Sequence, residues 1–196
     1  MKRKATLSRK TTETDIRVSL CLDGKGAYRV RTGISFLDHM LALLSRHSLI
    51  DLDLVAKGDI EVDIHHTNED VALVLGEALD KALGKRVGIK RFGEATVPMD
   101  EALVRAAVDV SGRPFLKISQ GKGKIKDMPE YSLNYAEQFF RALTTKAGLT
   151  LHIDILDGRD AHHVLEAAFK AVAKALLRAL EKEARSGGVP STKGQL

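Results

Sequence analysis

The stretch HHVLE at residues 162–166 decides the fold, because the chain contains the same pattern twice. HHTNE at residues 65–69 has the same two adjacent histidines followed by a glutamate, 97 residues earlier. Four of the seven histidines lie in these two short windows. A pattern that recurs once at a long spacing is typical of an internally duplicated chain.

The residues before each motif also align, which extends the repeat. Residues 36–54 align within the stretch 134–154, where an offset of 99 places Asp38 on Glu137 and His39 on Gln138. The offset falls to 97 at the histidine pairs, so the preceding loop is two residues shorter in the second half. The sequence of each half therefore predicts a helix, a strand, a short turn and a second helix, in that order.

The spacing of apolar residues supports this order of elements. Apolar residues recur every three or four positions through residues 162–180, as in an amphipathic helix. Alternating segments rich in β-branched residues predict half-buried strands at 15–22, 27–32, 102–110 and 149–155. DGKG at 23–26 predicts a hairpin turn, and SGRP at 111–114 predicts a turn before a strand at 115–119.

The predicted fold class is α+β, built from duplicated βα half-units related by pseudo-two-fold symmetry, with helices covering one face of each sheet. We expect a single compact domain over residues 1–196, because no linker separates the halves. The half-units are placed at 7–95 and 96–186. Residues 187–196 lack apolar periodicity and are expected to form a C-terminal loop.

Composition narrows the partners and the compartment. The net charge of +5 and the pI near 9.3 suggest an anionic partner, but aromatic residues make up only 5% and no nucleic-acid-binding motif is present. A small phosphorylated ligand therefore fits better than nucleic acid. No apolar run is long enough for a membrane span, and no apolar segment follows the basic MKRKATLSRK at the N-terminus. The single cysteine, Cys21, fits a reducing cytoplasm.

Both HHxxE motifs have the chemistry of metal sites. On a helix, residues three or four apart share a face, so each glutamate can converge with one histidine of its pair. Adjacent histidines project about 100° apart, so each is expected to serve a different metal. Imidazole and carboxylate together suit manganese, iron or zinc. The pattern is not HExxH, which argues against a zinc protease.

Other histidines have less specific patterns. His39 joins the candidate ligands because it lies at a repeat-matched helix position. His47 is a candidate for a supporting position behind the metal ligands. His152 lies inside a predicted strand and is interpreted as structural.

The sequence resembles the imidazoleglycerol-phosphate dehydratase family over essentially its whole length. The resemblance is carried by the motifs RKTTETDI, TGISFLDHML, DIHHTNED, RFGEATVPMDEAL, DVSGRPF, AHHVLEAAFKA and PSTKG. It implies a lyase of L-histidine biosynthesis that converts imidazole glycerol phosphate to imidazole acetol phosphate by a two-metal-assisted elimination. It also implies two Mn²⁺ ions per active site, a cytoplasmic location and a homo-oligomer of 24 subunits with sites between subunits.

The resemblance assigns roles to individual residues of this chain. It implies that Glu13 is catalytic and also contacts the substrate. The other implied substrate-binding residues are His47, Arg91, Arg113, Lys170, Ser191 and Lys193. The implied metal ligands are His39, His65, His66, Glu69, Gln138, His162, His163 and Glu166. Lys170 lies four residues after Glu166 and is therefore expected on the metal-binding face of its helix.

Gln138 departs from the family pattern, in which EQFF usually reads EHFF and the histidine binds metal. Glutamine there either ligates through its side-chain oxygen or leaves one metal site weaker, since an amide oxygen is a poorer donor than imidazole for a transition metal. The alternative to a working enzyme is a non-catalytic or weakened metal-binding paralogue of the same assembly. The presence of Glu13, Arg91, Arg113 and PSTKG favours the enzyme, because a storage protein would not need them.

Overall fold

The described part of the chain forms two repeats, each with four strands and two helices. A computed structural model of the protein describes residues 3–121, 124–185 and 187–194. The elements, in chain order, are β1 Lys4–Lys10, β2 Thr14–Cys21, β3 Tyr28–Arg31, α1 Ser35–Ser48, β4 Asp51–Gly58, α2 Ile64–Leu83, β5 Phe92–Met99, β6 Ala102–Asp109, β7 Phe115–Gln120, α3 Leu133–Ala147, β8 Thr150–Asp157 and α4 Ala161–Leu180. The α+β class and the duplication predicted from the sequence are confirmed.

The two sheets have the same topology. The first has the strand order β1-β2-β4-β3 and the second the order β5-β6-β8-β7. In each sheet the first three strands are antiparallel, and the fourth, β3 or β7, runs parallel to its neighbour, β4 or β8. Each parallel pair is joined by the first helix of its repeat, α1 or α3, which provides the long connection that parallel strands need.

Strand β2 shows why these segments pair as half-buried strands. Ile16, Val18 and Leu20 point into the core, while Asp15 and Arg17 between them are exposed. Because successive side chains of a strand point to opposite faces, this alternation gives the sheet one apolar face for the helices and one polar face.

The helices form the layer between the two sheets. Helix α2 packs on β1 and β2 and against α3, and α4 packs on β5 and β6 and against α1. Phe139, Phe140 and Phe169 form the aromatic centre of this layer, with the rings of Phe140 and Phe169 4.6 Å apart. Gly76 lets α2 approach α3 closely, since a Cβ there would lie 2.6 Å from the Leu143 carbonyl oxygen.

Three expectations from the sequence need correction. DGKG at 23–26 does not close a hairpin, because β4 lies between β2 and β3 in the sheet. The boundary placed between residues 95 and 96 falls inside β5, which begins at Phe92, so the second repeat starts earlier. Strands β1 and β5 were not predicted; both are edge strands, where alternation is weakest.

The C-terminal segment contains no helix or strand over residues 187–194. Residues 195 and 196, which the predicted loop also included, lie outside the described residues. Within the part of the chain that is described, no helix is both long enough and apolar enough to cross a bilayer.

Candidate metal centres

The two histidine pairs lie at equivalent helix starts. Asp63 is the N-cap of α2 and accepts a hydrogen bond from the His65 backbone N–H at 3.0 Å. Asp160 is the N-cap of α4 and accepts one from the His162 backbone N–H at 2.8 Å. An aspartate cap fixes the first turn of a helix, so it also fixes the direction in which the histidines after it project.

One group of side chains already has the arrangement of a metal site, and we call it the α1–α4 cluster: His39, His162 and Glu166. Potential ligand atoms of these three residues all lie within 4.8 Å of one another. Oε2 of Glu166 is 3.6 Å from Nε2 of His39 and 3.4 Å from Nε2 of His162. Two donor atoms each about 2.1 Å from a single ion lie roughly 3.0–3.5 Å apart, so the spacing fits a shared metal.

Lys170 completes the surroundings of the α1–α4 cluster. Its ammonium group bonds to Oε1 of Glu166 and lies 3.7 Å from the sulfur of Met99. Burial raises the pKa of the Glu166 carboxyl, but Lys170 and His39 outweigh that effect and the net pKa lies below its ordinary value. The carboxylate is therefore ionised and has one oxygen directed at the two histidines.

His47, another candidate from the sequence, is half-buried, and its charged neighbours on α4 include Lys170 and Lys174. Burial lowers the pKa of His47, and the positive charges of Lys174 and Lys170 lower it further. The imidazole is therefore biased toward its neutral form, in which it can accept a hydrogen bond.

The equivalent group in the other helix pair is the α2–α3 set: His65, Glu69 and Gln138. Nε2 of His65 lies 3.3 Å from Oε2 of Glu69, so this pair matches His162 and Glu166. Gln138 lies on α3, which packs against α2. Its Oε1 is buried and has no hydrogen-bond partner among the described residues. Because a buried polar atom without a partner is costly, this oxygen fits a ligand that the chain itself does not supply.

The second histidine of each pair points elsewhere. The rings of His65 and His66 are 6.2 Å apart and nearly perpendicular, and those of His162 and His163 are 6.1 Å apart at 79°. Neither His66 nor His163 joins the α1–α4 cluster. The adjacent histidines thus diverge, as the helical geometry predicts.

A carboxylate holds each of these outer histidines, His66 and His163. Nδ1 of His66 lies 3.0 Å from Oδ2 of Asp59, and Oε2 of Glu13 is 3.9 Å away on the same side. Nδ1 of His163 lies 2.7 Å from Oε2 of Glu101. These hydrogen bonds raise the pKa of both imidazoles.

Glu101 is itself fixed by backbone groups. Its Oε1 accepts hydrogen bonds from the N–H groups of Asp160 at 2.9 Å and Arg159 at 3.1 Å. The Asp160 N–H, then His163, then the Arg159 N–H lower the pKa of the Glu101 carboxyl to about 2. Asp100 also reaches this histidine, with Oδ2 3.6 Å from Nε2 of His163.

The candidate phosphate-binding residues gather around Asp109, at the other end of α4. Arg91 donates to Asp109 through Nε at 2.7 Å and Nη2 at 3.0 Å, and through Nη1 to the Pro190 carbonyl at 2.9 Å. Arg113 is 71% exposed, with Nη2 3.9 Å from Asp109. Pro190 precedes Ser191 in the C-terminal loop, where the Lys193 backbone N–H donates to the Ser191 hydroxyl at 3.2 Å.

The structure does not bring these two groups of residues together within one chain. The backbone N–H of Arg91 donates to the Ala179 carbonyl oxygen at 2.9 Å, close to the end of α4, whereas Glu166 lies in the second turn of that helix. At 1.5 Å of rise per residue the two positions are roughly 20 Å apart along α4. His162 and His163 thus lie at the start of α4, whereas Arg91 lies beside its end.

Sequence reasoning missed the carboxylates behind the outer histidines. Asp59 lies in the loop before α2 and Glu101 in the turn between β5 and β6, so neither has a fixed spacing from the histidine that it contacts. His152, interpreted as structural, lies on β8 with its ring 5.7 Å from that of Phe115.

Imidazole and carboxylate donors converge from α1 and α4, and Asp160 caps the start of α4. The molecule is therefore a duplicated α+β protein with a cluster of side chains that could hold a metal ion. Its donor set suits a divalent transition metal.

Comparison with known proteins identifies the particular family. Residues 32–176 match the family model described as imidazoleglycerol-phosphate dehydratase, so the chain belongs to that family. The imidazoleglycerol-phosphate dehydratase of Caldanaerobacter subterraneus subsp. tengcongensis is 52% identical over 194 residues, which cover 99% of this chain and 100% of the relative. That of Ruegeria pomeroyi is 51% identical over 195 residues, with coverage of 99% and 100%.

Solved structures agree with the sequence relatives. The imidazoleglycerol-phosphate dehydratase of Pyrococcus furiosus superposes with a TM-score of 0.83 at 36% identity, over 97% of this chain and 100% of that chain. The Staphylococcus aureus enzyme gives a TM-score of 0.80 at 36% identity, over 91% and 99%. The predicted family and the prediction of a dehydratase enzyme are confirmed.

Proposed function

We propose that the protein dehydrates imidazole glycerol phosphate to imidazole acetol phosphate in L-histidine biosynthesis, with two Mn²⁺ ions per active site. The observation that carries the proposal is the α1–α4 cluster, whose donors converge within a chain of this family. The α2–α3 set and the outer histidines supply further donors of the same kind.

His39, His162 and Glu166 would hold a divalent ion, which would supply a Lewis acid for the imidazole of the substrate. Lys170 holds the second oxygen of Glu166 and so fixes the orientation of the carboxylate. The side chain of Glu13 is 54% exposed beside His66. It can therefore hold or move a proton at the carbon next to the substrate ring, as a general acid or base.

The basic residues near Asp109 serve the phosphate in this proposal. Arg113 is exposed and keeps most of its donors available. Arg91 is only 14% exposed, and its hydrogen bonds to Asp109 and Pro190 hold its guanidinium group in place. A guanidinium group recognises phosphate through several hydrogen bonds, and Ser191 and Lys193 add a hydroxyl and an ammonium. Binding energy from the phosphate then positions the reacting carbon.

The separation of the two groups of residues along α4 supports a site built from more than one copy of the chain. An imidazole joined to a three-carbon phosphate is shorter than the roughly 20 Å between Glu166 and the end of α4. The phosphate-binding residues of one copy therefore serve the histidines of another, which supports a homo-oligomer. We propose the large, 24-subunit assembly and the cytoplasmic location that the resemblance implies.

The test is direct. Purified protein is stripped of metal, reloaded with manganese and incubated with imidazole glycerol phosphate, and the acetol product is identified by mass spectrometry. We expect manganese-dependent product. Manganese binding without product would support the non-catalytic metal-binding paralogue instead.

A further inference from the structure

Glu13 and Glu101 occupy the same position in the two repeats. Strands β2 and β6 are each eight residues long and central in equivalent sheets, and each glutamate immediately precedes its strand. The pairing registers agree at Ile16, which opposes Ala56, and at Val104, which opposes Ile155, the residue that the repeat places on Ala56. The second sheet then shifts its register between Val104 and Leu103. Duplication thus put one glutamate beside the outer histidine of each repeat.

The two glutamates nevertheless make different contacts. Glu101 bonds to Nδ1 of His163 at 2.7 Å and is anchored by two backbone N–H groups. Glu13 stays 3.9 Å from Nδ1 of His66, because Asp59 occupies that nitrogen at 3.0 Å. Asp59 comes from the loop before α2, whereas Glu101 comes from the turn before β6. The carboxylates that contact Nδ1 of the two outer histidines therefore lie at non-equivalent positions of the repeats.

We propose that Asp59 and Glu101 are positioning residues that hold Nδ1 of His66 and His163 and present Nε2 of each ring to a metal, and that Asp59 thereby leaves Glu13 free for proton transfer. The inference rests on the proposed function and goes further, because it assigns the two repeats different uses of the same glutamate.

The chemistry of the contact supports the assignment. An ionised carboxylate only accepts hydrogen bonds, so Nδ1 must carry the proton in both pairs. In the neutral imidazole the lone pair is then on Nε2, which is the metal-binding form. A carboxylate behind a ligating histidine fixes the tautomer and ring orientation, and its loss typically costs about 10–100-fold in metal affinity or activity.

A simple surface ion pair would not produce this arrangement. Glu101 accepts two hydrogen bonds from backbone N–H groups in the loop before α4 and makes a third with His163 on α4. Asp59 is 29% exposed, and both of its carboxylate oxygens lie within 3.3 Å of Nδ1 of His66. Asp100, 70% exposed and 3.6 Å from Nε2 of His163, lies on the side where a metal would bind and is not part of the support.

The experiment compares four variants by manganese titration, with free Mn²⁺ followed by electron paramagnetic resonance. In Asp59→Asn and Glu101→Gln the new amide can donate to Nδ1 and favour the wrong tautomer. We expect both variants to bind manganese about 10–100-fold more weakly. Glu13→Gln should bind it as the unaltered protein does, because Glu13 supports no ring. Glu61→Gln is the matched control, since Glu61 is an exposed residue of the Asp59 loop.

Two further measurements separate positioning from simple damage. Thermal unfolding of the metal-free variants should be unchanged for Asp59→Asn, and Asp59→Glu should restore part of the manganese affinity. Unaltered affinity in both Asp59→Asn and Glu101→Gln would overturn the inference, as would an equal loss in Glu13→Gln. Failure of the proposed function would appear separately, as unaltered protein that forms no acetol product.

Discussion

Gln138 occupies on α3 the position that His39 occupies on α1. His39 places Nε2 3.6 Å from Glu166, whereas Gln138 has a buried Oε1 with no hydrogen-bond partner among the described residues. The pseudo-two-fold symmetry of the fold therefore does not extend to the donor sets. The α1–α4 cluster has two imidazoles and a carboxylate, and the α2–α3 set has one imidazole, one carboxylate and an amide.

Replacing Glu13 with glutamine should lower turnover and leave substrate binding almost unchanged. Glu13 is exposed and its carboxylate contacts His66 only at 3.9 Å, so the change removes proton transfer without removing a structural bond. General acid–base groups typically contribute about 10²–10⁴-fold. Steady-state kinetics should show this loss in kcat with KM nearly constant. Near-native turnover would remove Glu13 from the catalytic group.

Replacing Arg113 with alanine should chiefly weaken binding of the substrate. The guanidinium group is exposed and held only loosely by Asp109, so its loss should raise KM about tenfold and leave the thermal midpoint unchanged. Lys193→Ala should behave similarly. Arg141→Ala is the matched control, since Arg141 is an exposed arginine on α3 paired with Glu137. An unchanged KM in Arg113→Ala would argue against phosphate contact.

Arg91 provides a contrast with Arg113. Its bonds to Asp109 and to the Pro190 carbonyl are largely buried, so Arg91→Ala should lower thermal stability as well as substrate affinity. At the level of sequence, only the family resemblance assigns Arg91 and Arg113 to substrate binding. Only the structure separates a mainly free guanidinium group from one that also fastens the C-terminal loop.

Much of the fold could be predicted because the duplication is visible in the sequence. The same local pattern occurs in both repeats, so it predicts the central strands and the helix starts next to His65 and His162. The order of strands could not be predicted in this way. The pairing of β3 with β4 rather than β2 depends on contacts across the sheet, which the turn residues at 23–26 do not record.

The site was predictable where its geometry is helical. Glu166 and Lys170 are four residues apart and bond, as helical spacing requires. The carboxylates of Asp59 and Glu101 come from loops whose paths depend on tertiary packing, so sequence spacing carries no signal for their contacts with His66 and His163. The distance between Glu166 and Arg91 could not be predicted either, because it depends on the packing of Arg91 beside the end of α4.

Removing metal should loosen the oligomer. If donors from different copies share an ion, the ion links copies, and binding free energy contributes to assembly. Light scattering before and after chelation should therefore show a smaller particle or a lower dissociation temperature, and added manganese should reverse the change. A chelated particle of unchanged size and stability would count against shared sites.

Asp23 should make stability depend on pH in the acid range. The hydrogen bond from the Arg3 side chain lowers the pKa of the Asp23 carboxyl from 3.8 to about 2. A lowered pKa in the folded state stabilises the fold above the unfolded value, and this contribution disappears as pH falls from about 4 to about 2. Asp23→Asn should cost about 1–2 kcal/mol at neutral pH. The difference from the unaltered protein should shrink through that window.

Urea unfolding of metal-free protein at several pH values measures the Asp23 effect without metal release. Asp15→Asn is the control, because the ion pair of Asp15 with Lys10 is exposed and should contribute little. A constant difference between Asp23→Asn and the unaltered protein from pH 7 to pH 2 would show that the Arg3 pair does not act through the charge of Asp23.

Restoring histidine at position 138 should strengthen the weaker metal site. In Gln138→His an imidazole replaces an amide oxygen in the α2–α3 set, which makes its donors match those of the α1–α4 cluster. Imidazole suits the later transition metals better than amide oxygen does, so affinity for Co²⁺ or Zn²⁺ should rise more than affinity for Mn²⁺. Titration of metal-free protein with each ion, read by calorimetry, should show the weaker binding constant improve about tenfold or more. His39→Gln is the reciprocal variant and should weaken the other site by a similar factor. If Gln138→His leaves both the stoichiometry and the weaker constant unaltered, position 138 does not bind metal, and the buried Oε1 of Gln138 needs another explanation.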